Sequence, residues 1–495
     1  MRTMLALLAL AAACPAAEPH RPKYHFTPAR NFMNDPNGLV YDRGEYHLFY
    51  QYNPLGDTWG HMSWGHAASA DLVRWRHLPV ALAEADGVMI FSGSAVVDRA
   101  NSAGLGPPGS SPLVAIYTGD GLGKQTQNLA ASADRGRTWK KYAHNPVFDI
   151  NSNENRDPKV SWHAQTSRWV MATVLAGQHK VRLDGSQDLK TWTPLSEFGP
   201  AGAVGGAWEC PDLFPLPVDG EPGASRWVLQ VGINPGAVAG GSGGQYFVGH
   251  FDGKTFTPDE ATPRTRWEDH GKDFYAAVSF SDIPTADGRR IWLGWMSNWQ
   301  YANQVPTKPW RNAMSIPRSL SLRRSADGFM LAQTPVAELK SLRASHVAMP
   351  AREIDADASI EVGRGSSYEV IAEFDPGDAA EFGLKLRVGP GEETIVGVDP
   401  RGKALFVDRT RSGLVGFSPE YPGRHVAPLP IEGGRVKLHI YVDESSVEVF
   451  AADGRSVLTD LIYPGPESLG IRLYARGGKA RLAALDMWEL KSAWD

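Results

Sequence analysis

The chain has 495 residues, more than one hydrophobic core normally covers, so two domains are expected. Its apolar and charged fractions, 42% and 21%, are those of an ordinary globular protein. The formal net charge is -5 and no basic run is present, which argues against nucleic acid or an anionic membrane as a partner.

Residues 1–17 have the layout of a signal peptide. Arg2 precedes an apolar run over residues 4–13 that is too short to span a bilayer as a mature helix. We therefore expect a secreted or periplasmic protein with no transmembrane segment after processing. The alternative is a lipoprotein signal with the lipid on Cys14, although leucine is more usual where Ala11 stands. Cys210 is the only other cysteine, so no internal disulfide is expected in the mature chain.

An irregular repeat runs through residues 30–300. β-rich runs recur at residues 46–49, 113–116, 168–171, 226–229 and 290–293, and Asp-containing turns followed by an aromatic residue come after four of them. A period of about 50 to 65 residues, repeated about five times, suits four-stranded blades. We predict a five-bladed β-propeller over residues 22–337. The alternative is two stacked sandwiches whose spacing is coincidental.

The region after the repeat is predicted to contain a helix, a linker and a second domain. Residues 334–340 predict a short helix with Thr334 as its N-cap and Pro335 at its first position. We place a linker at residues 338–349. Beyond it, short alternating segments separated by Gly-, Pro- and Asp-rich turns predict a β-sandwich over residues 350–495. The expected fold class is therefore all-β.

Five motif centres have nearly the same spacing as the repeat: Asp35, Ser92, Asp157, Glu209 and Tyr275. If each lies on the first strand of its blade, all five converge on the propeller axis, at the mouth of one funnel. Three of them are acids. A glycosidase needs one carboxyl group to attack or to activate water, and another to hold a proton for the leaving oxygen. Each motif alone could be a turn or a surface pair, but together they predict a glycosidase site.

These motifs resemble glycoside hydrolase family 32, the β-fructofuranosidases that include invertases, inulinases and levanases. The resemblance covers nearly the whole chain and is carried by residues 34–38 (Asn-Asp-Pro-Asn-Gly), 91–94 (Phe-Ser-Gly-Ser), 156–158 (Arg-Asp-Pro), 209–211 (Glu-Cys-Pro), 294–299 (Gly-Trp-Met-Ser-Asn-Trp) and 442–450. One departure is Phe32, which stands where the family usually has tryptophan and keeps an aromatic wall.

The resemblance implies a retaining double displacement at the anomeric C2 of a fructofuranosyl unit. Asp35 matches the nucleophile, and Glu209 matches the acid/base that protonates the leaving oxygen and then activates water. Asp157 matches a third acid, which grips ring hydroxyls and stabilises the oxocarbenium-like state. Arg156 is suited to fix Asp157 and Glu209 through charge-assisted hydrogen bonds.

The resemblance also implies a set of sugar-contacting side chains, which supply the aromatic face and short polar donors that a fructose pocket needs. These are Asn34, Gln51, Trp59, Phe91, Ser92, Arg156, Tyr275 and Trp295, with Trp299 as a weaker candidate. We expect no cofactor and no metal. His61 and His66 flank Trp64, but they lack a nearby cysteine or a matching acid to complete a metal site.

The expected function is the release of terminal fructose from β-fructofuranosides, with fructans (levan or inulin) and sucrose as substrates. The loops at residues 240–246 and 298–307 resemble those of microbial exo-inulinases and levanases more than those of sucrose-only invertases. The alternatives are a sucrose-specific invertase, a fructosyltransferase, and a non-catalytic fructan-binding protein. The presence of all three acids argues against the last of these. The sequence leaves the oligomeric state open.

Overall fold

The computed structural model describes residues 18–221, 223–431 and 433–494, so the predicted signal peptide and Cys14 lie outside the described residues. The described part is built almost entirely from β-strands. Its helical segments are short 3-10 turns, found at Ala164–Thr166, Ala176–Gln178, Ala337–Leu342 and Ala452–Gly454. None of the helices in these ranges has the length and apolar character needed to cross a membrane.

Five antiparallel sheets follow one another along the first two thirds of the chain. The first contains β1 (Asn31–Asp42), β2 (Glu45–Tyr52), β3 (Ser63–Ser69) and β4 (Arg76–Leu82). The second contains β5 (Met89–Val97), β6 (Leu113–Gly121), β7 (Lys124–Ser132) and β8 (Lys140–Lys141). The third contains β9 (Asn155–His163), β10 (Arg168–Leu175), β11 (Lys180–Ser186) and β12 (Thr193–Phe198). The fourth contains β13 (Ala207–Pro217), β14 (Ser225–Asn234), β15 (Gly243–Phe251) and β16 (Phe256–Pro258).

The fifth sheet closes the series. It begins with β17 (Tyr275–Ser279) and β18 (Arg290–Met296). The chain then returns to the first sheet, where β19 (Trp310–Arg311) pairs in parallel with β1. The fifth sheet is completed by β20 (Ala313–Met314), β21 (Arg318–Ser325) and β22 (Gly328–Pro335). The β19 pairing ties the end of this region to its beginning.

The first strands of the five sheets form a closed ring. β1 contacts β5, and each following first strand contacts the next, through β9, β13 and β17, until β17 contacts β1 again. Within each sheet the later strands lie progressively further from the ring. This arrangement is a five-bladed β-propeller, as the sequence repeat predicts.

Equivalent parts of the blades carry the repeat. The β-rich runs are the second strands, β2, β6, β10, β14 and β18. After the third strand of two blades, Asp71 and Asp188 each accept the backbone N–H groups two and three residues further on. The indole N–H groups of Trp75 and Trp192 then each donate to a carbonyl of the same turn at 3.1 Å. Each pair therefore closes the outer hairpin of its blade in the same way.

Two larger sheets form a sandwich after the propeller. One has the order β23 (Arg343–Met349), β35 (Ala480–Leu490), β26 (Tyr368–Asp375), β31 (Val436–Asp443), β32 (Ser446–Ala451) and β33 (Ser456–Leu461), with β24 (Arg352–Ile354) also on β35. The other has the order β25 (Ser359–Arg364), β34 (Gly470–Arg476), β27 (Glu381–Gly389), β28 (Glu392–Asp399), β29 (Ala404–Arg411) and β30 (Arg424–Pro428). Buried apolar residues from both sheets form one core.

The junction between the two regions differs from the sequence prediction. β22 continues through Thr334 to Pro335, and the following 3-10 helix has Val336 at its N-cap. The Thr-Pro pair is therefore strand rather than cap, because Ser319 and Arg318 of β21 pair with it. The stretch predicted as a linker contains β23, so the sandwich sheet begins before residue 350. Most of β23 is exposed, so it has no buried alternation for the sequence to reveal.

A buried ionic network joins the propeller to the sandwich. The two ring nitrogens of His25 lie 2.8 Å from Asp443 and 2.8 Å from Glu448. Glu448 also accepts a hydrogen bond from Arg318 of the fifth blade, and all these side chains are fully buried. Burial disfavours the charged imidazole, but the hydrogen bonds to two carboxylates outweigh it and raise the pKa of His25 to about 9.

Candidate active site

A β-bulge interrupts the first strand of every blade at the motif found in the sequence. The pairing register shifts between Met33 and Pro36 in β1 and between Ile90 and Gly93 in β5. It also shifts across residues 156–159 of β9, 209–212 of β13 and 275–278 of β17. Bulges bend a strand and re-aim its side chains, and they recur beside active sites. Here five of them surround the same axis.

The bulges in three blades place a non-glycine residue in the left-handed region of φ. These residues are Asp157, Cys210 and Ala276, with φ of 61°, 50° and 51°. This conformation is strained for residues with a Cβ atom and recurs at functional sites. It follows immediately after Arg156, Glu209 and Tyr275, which are in mutual contact around the Glu209 carboxylate.

Asp35 is held by three neighbours at the base of the site. The Ser92 hydroxyl donates to Asp35 Oδ2 at 2.6 Å, and the Asn34 amide donates to Oδ1 at 3.0 Å. The Cys210 thiol lies 3.5 Å from Oδ2. Only 8% of Asp35 is exposed. Burial raises the pKa of Asp35, and the nearby Glu209 raises it further, while the hydrogen bonds from Ser92 and Asn34 act in the opposite direction.

Asp157, on the first strand of the third blade, is the second buried carboxylate of the site. The Cys210 backbone N–H donates to Asp157 Oδ2 at 2.9 Å, and Arg156 Nε lies 3.9 Å from the same oxygen. Burial raises the pKa of Asp157 to about 7, with Arg156 acting against the shift and Glu209 adding to it. Cys210 therefore touches both Asp35 and Asp157, one through its thiol and the other through its backbone.

Glu209 is fixed at both carboxylate oxygens. Arg156 Nη2 donates to Oε1 at 3.1 Å, and the Tyr275 hydroxyl donates to Oε2. Its side chain is 24% exposed, more than that of Asp157 at 7%. Glu209 is thus the acid of the three that is most open to solvent and to a leaving group, yet its orientation is set by two donors.

The three acids face one cavity of about 370 Å³ at the end of the propeller axis. Every blade contributes to its wall. The lining residues are Asn34, Asp35, Gln51, Trp59, Phe91, Ser92, Arg156, Asp157, Glu209, Asn234, Trp299 and Asn303. The lining residues come from all five blades, so the cavity lies where the blades meet at one end of the axis. Several aromatic faces with short polar side chains are the composition of a sugar site.

Comparison with known families matches almost all of the described chain. The model of the glycosyl hydrolases family 32 N-terminal domain matches residues 25–335, and that of the family 32 C-terminal domain matches residues 338–489. The chain belongs to glycosyl hydrolase family 32. The family resemblance seen in the motifs is thereby confirmed.

Individual members of family 32 are similar over nearly the full length. A levanase from Bacillus subtilis (strain 168) is 53% identical over 484 residues, which are 96% of this chain and 71% of that enzyme. The extracellular exo-inulinase inuE of Aspergillus ficuum is 41% identical over all of this chain and 98% of its own. The crystal structure of an exo-inulinase from Aspergillus awamori superposes with a TM-score of 0.91 at 39% identity, covering 96% of this chain and 99% of that one.

The positions that the family resemblance selected lie together, with two exceptions. Tyr275 and Trp295 do not line the cavity, and they are 1% and 0% exposed. Tyr275 instead reaches Glu209 from behind through its hydroxyl. Trp295 packs against Tyr275, Phe32 and Trp299, with its ring 4.7 Å from that of Trp299. Trp299 therefore lines the cavity in the place expected for Trp295, and its ring lies between Trp295 and the cavity.

Among the cavity residues of this family 32 chain, the sequence gives only weak support to Trp299 and none to Asn234 or Asn303. Trp299 and Asn303 lie in the loop that follows β18, and Asn234 is the last residue of β14. The loop carries a family motif at its start, which was the available signal for Trp299. Nothing local marks Asn234 or Asn303. Asn303 accepts the backbone N–H of Trp59 at 2.8 Å and so joins two loops that are far apart in sequence.

Proposed function

We propose that this chain is a secreted, exo-acting β-fructofuranosidase that releases terminal fructose from fructans and from sucrose. The observation that carries the proposal is the convergence of Asp35, Asp157 and Glu209 on one pocket of the propeller. Membership of family 32, and similarity to enzymes named levanase and exo-inulinase, support the same substrate class.

The proposed reaction proceeds in two displacements. Asp35 attacks the anomeric C2 of a terminal fructosyl unit while Glu209 gives its proton to the leaving oxygen, so that the glycosidic bond breaks and a fructosyl ester forms. Glu209, now ionised, takes a proton from water, and that water attacks C2 and releases Asp35 as a carboxylate. Two inversions at C2 give net retention.

The partners of each acid fit these roles. Ser92 and Asn34 hold the Asp35 carboxylate in one orientation, so little reorganisation is needed when it attacks. Arg156 and Tyr275 orient Glu209 towards the pocket. Asp157 is buried beside Asp35, where its carboxylate can bind ring hydroxyls and oppose the positive charge that develops at C2.

The shape of the pocket favours exo action. Asp35 lies at its base at 8% exposure, whereas Trp59 lies at its mouth at 41% exposure. A terminal fructosyl unit fits the base, and the rest of the substrate then leaves through the mouth. An internal unit of a fructan would need an exit on both sides.

The test is the identity of the sugars released from levan, inulin and sucrose, separated by chromatography. We expect free fructose as the dominant product from levan and inulin, and fructose with an equal amount of glucose from sucrose. The initial rates then rank the three substrates. Release of oligosaccharides from fructans would contradict exo action, and activity on sucrose alone would favour the invertase alternative. Trisaccharide products at high sucrose would favour a fructosyltransferase.

Asp35→Ala tests whether the protein is catalytic at all. We expect turnover to be lost, by about 10⁴-fold or more for removal of a nucleophile. The matched control is Asp134→Ala, which removes an exposed turn carboxylate of the second blade and should leave activity unchanged. Full activity of Asp35→Ala would refute the proposed mechanism, and fructan binding without turnover by the unmutated chain would favour the non-catalytic alternative.

Secretion is proposed from the signal-peptide pattern of residues 1–17 and from similarity to enzymes named extracellular. Soluble release after cleavage near residue 17 is preferred over a lipid anchor at Cys14. The mass of the mature protein distinguishes them, because a lipid-modified chain begins at Cys14 and is heavier by its acyl groups.

A further inference from the structure

The loop at residues 298–307 lies between the sugar pocket and the sandwich. On one side, Trp299 and Asn303 line the pocket. On the other side, Tyr301 and Val305 are 1% exposed and belong to a buried apolar cluster with Tyr421 and Leu461 of the sandwich. Adjacent residues of one short loop therefore face the substrate and the second module.

A buried arginine of the sandwich binds this loop. Arg409 lies on β29 and is fully buried. Its Nη2 donates to the Tyr301 hydroxyl at 2.9 Å, and its Nη1 donates to Asp273. The Tyr301 hydroxyl in turn donates to the other oxygen of Asp273. Arg409, Tyr301 and Asp273 thus form a closed triangle of hydrogen bonds across the module boundary.

Both propeller members of the triangle are next to residues of the site. Asp273 is two residues before Tyr275, whose hydroxyl holds Glu209. Tyr301 stands between Trp299 and Asn303 of the pocket wall. A second, exposed contact lies beside the triangle, where Gln300 Nε2 donates to Glu420 of the sandwich at 3.0 Å.

We propose that the sandwich shapes the mouth of the sugar pocket, with Arg409, through Tyr301, acting as a positioning residue for Trp299 and Asn303. The inference rests on the proposed function and concerns the part of the substrate beyond the terminal fructosyl unit. Asp35 and Asp157 lie at the base on blades one and three, whereas Asn303 is exposed and bonded to Trp59 at the mouth. The sandwich thereby contributes to binding of the leaving-group sugar without touching it.

A purely structural role predicts a different outcome. If the triangle only held the modules together, weakening it would lower the amount of folded enzyme and leave the KM of the folded fraction unchanged. If it positions the mouth, weakening it raises KM for a substrate that reaches the mouth. It leaves unchanged the inhibition constant of free fructose, which needs only the base.

The test measures KM and kcat for sucrose, and the inhibition constant of fructose, in Tyr301→Phe and Glu420→Ala. Tyr301→Phe removes the hydroxyl shared by Arg409 and Asp273 and keeps the ring. Glu420→Ala removes the exposed contact to Gln300 and does not disturb a buried group, so its folding is secure. The matched control is Tyr474→Phe, which removes a sandwich tyrosine hydroxyl that donates to Glu381 at 3.0 Å.

We expect KM to rise about three- to tenfold in Tyr301→Phe and by about twofold or more in Glu420→Ala, the effect of loosening one polar contact. The fructose inhibition constant and the kinetics of Tyr474→Phe should stay at the unmutated values. Unchanged KM in both test variants overturns the inference, as does an equal rise in KM in the control. Fructose release by the unmutated enzyme is measured first, so failure of the proposed function would be seen separately.

Discussion

Replacing Asp157 with asparagine is expected to stabilise the folded protein while removing most of its activity. Burial raises the pKa of this carboxyl from 3.8 to about 7, so the folded state holds the proton more tightly than the unfolded state does. Ionising Asp157 therefore lowers the free energy of unfolding. The loss begins near the unfolded value, grows as the pH rises, and is complete above about pH 7.

The magnitude follows from the size of the shift. Three pKa units correspond to about 4 kcal/mol at 1.36 kcal/mol per unit. Asparagine has nearly the same shape and keeps an oxygen that accepts the Cys210 N–H. Its NH2 group, however, needs hydrogen-bond acceptors, which a carboxylate does not need, and this reduces the expected gain. We therefore expect a gain of about 2–4 kcal/mol at pH 8 and almost none at pH 4.

Urea denaturation followed by tryptophan fluorescence at the two pH values measures the difference. The matched control is Asp71→Asn, because burial raises the pKa of Asp71 but backbone hydrogen bonds from Arg74 and Val73 lower it more. That variant should be destabilised at pH 8, the opposite sign. Activity of Asp157→Asn on sucrose should fall about 10²-fold or more. A loss of stability at pH 8, or an equal gain at both pH values, would refute the electrostatic reasoning.

Three further predictions concern other buried groups. His25→Gln should lower the free energy of unfolding by about 3 kcal/mol at pH 6 and by much less at pH 10, because the stabilisation from the raised pKa of about 9 is lost as pH rises through that value; equal losses at both pH values in urea denaturation would contradict this. Burial raises the pKa of the Cys210 thiol well above its usual range, so iodoacetamide should not label the native enzyme at pH 8, as checked by intact mass; rapid labelling would show an open site. The raised pKa of Asp35 should give kcat/KM an acid limb whose midpoint lies above 3.8, and a midpoint at or below that value would exclude the Asp35 nucleophile as the group that titrates there.

The blade repeat and the acid motifs could be predicted because they depend on local signals. An Asp-containing turn followed by tryptophan closes a hairpin through contacts within a few residues, so the turn at Asp71 and Trp75 can be predicted from the local sequence. Four similar spacings then place five motifs at equivalent strand positions. The convergence of Asp35, Asp157 and Glu209 follows from that symmetry together with the family motifs.

The junction and the pocket wall needed the tertiary structure. Thr334 and Pro335 have the chemistry of a helix start, but pairing with β21 keeps them in a strand. β23 is exposed, so nothing in its pattern marked it as part of the sandwich. Trp295 and Trp299 lie in one motif, and the sequence does not say which of them faces the pocket. The structure separates them, because Trp299 covers Trp295.

By itself, the amino-acid sequence determined the number of blades, the strand on which each acid lies and the family to which those acids belong, because each depends on short-range patterns that repeat along the chain. Only the tertiary structure decided which side chains reach the pocket, how Cys210 links two of the acids, and how Arg409 meets Tyr301 across the module boundary. Those contacts join residues from 53 to 175 positions apart, and their geometry is fixed by the packing of blades and sandwich rather than by any local pattern.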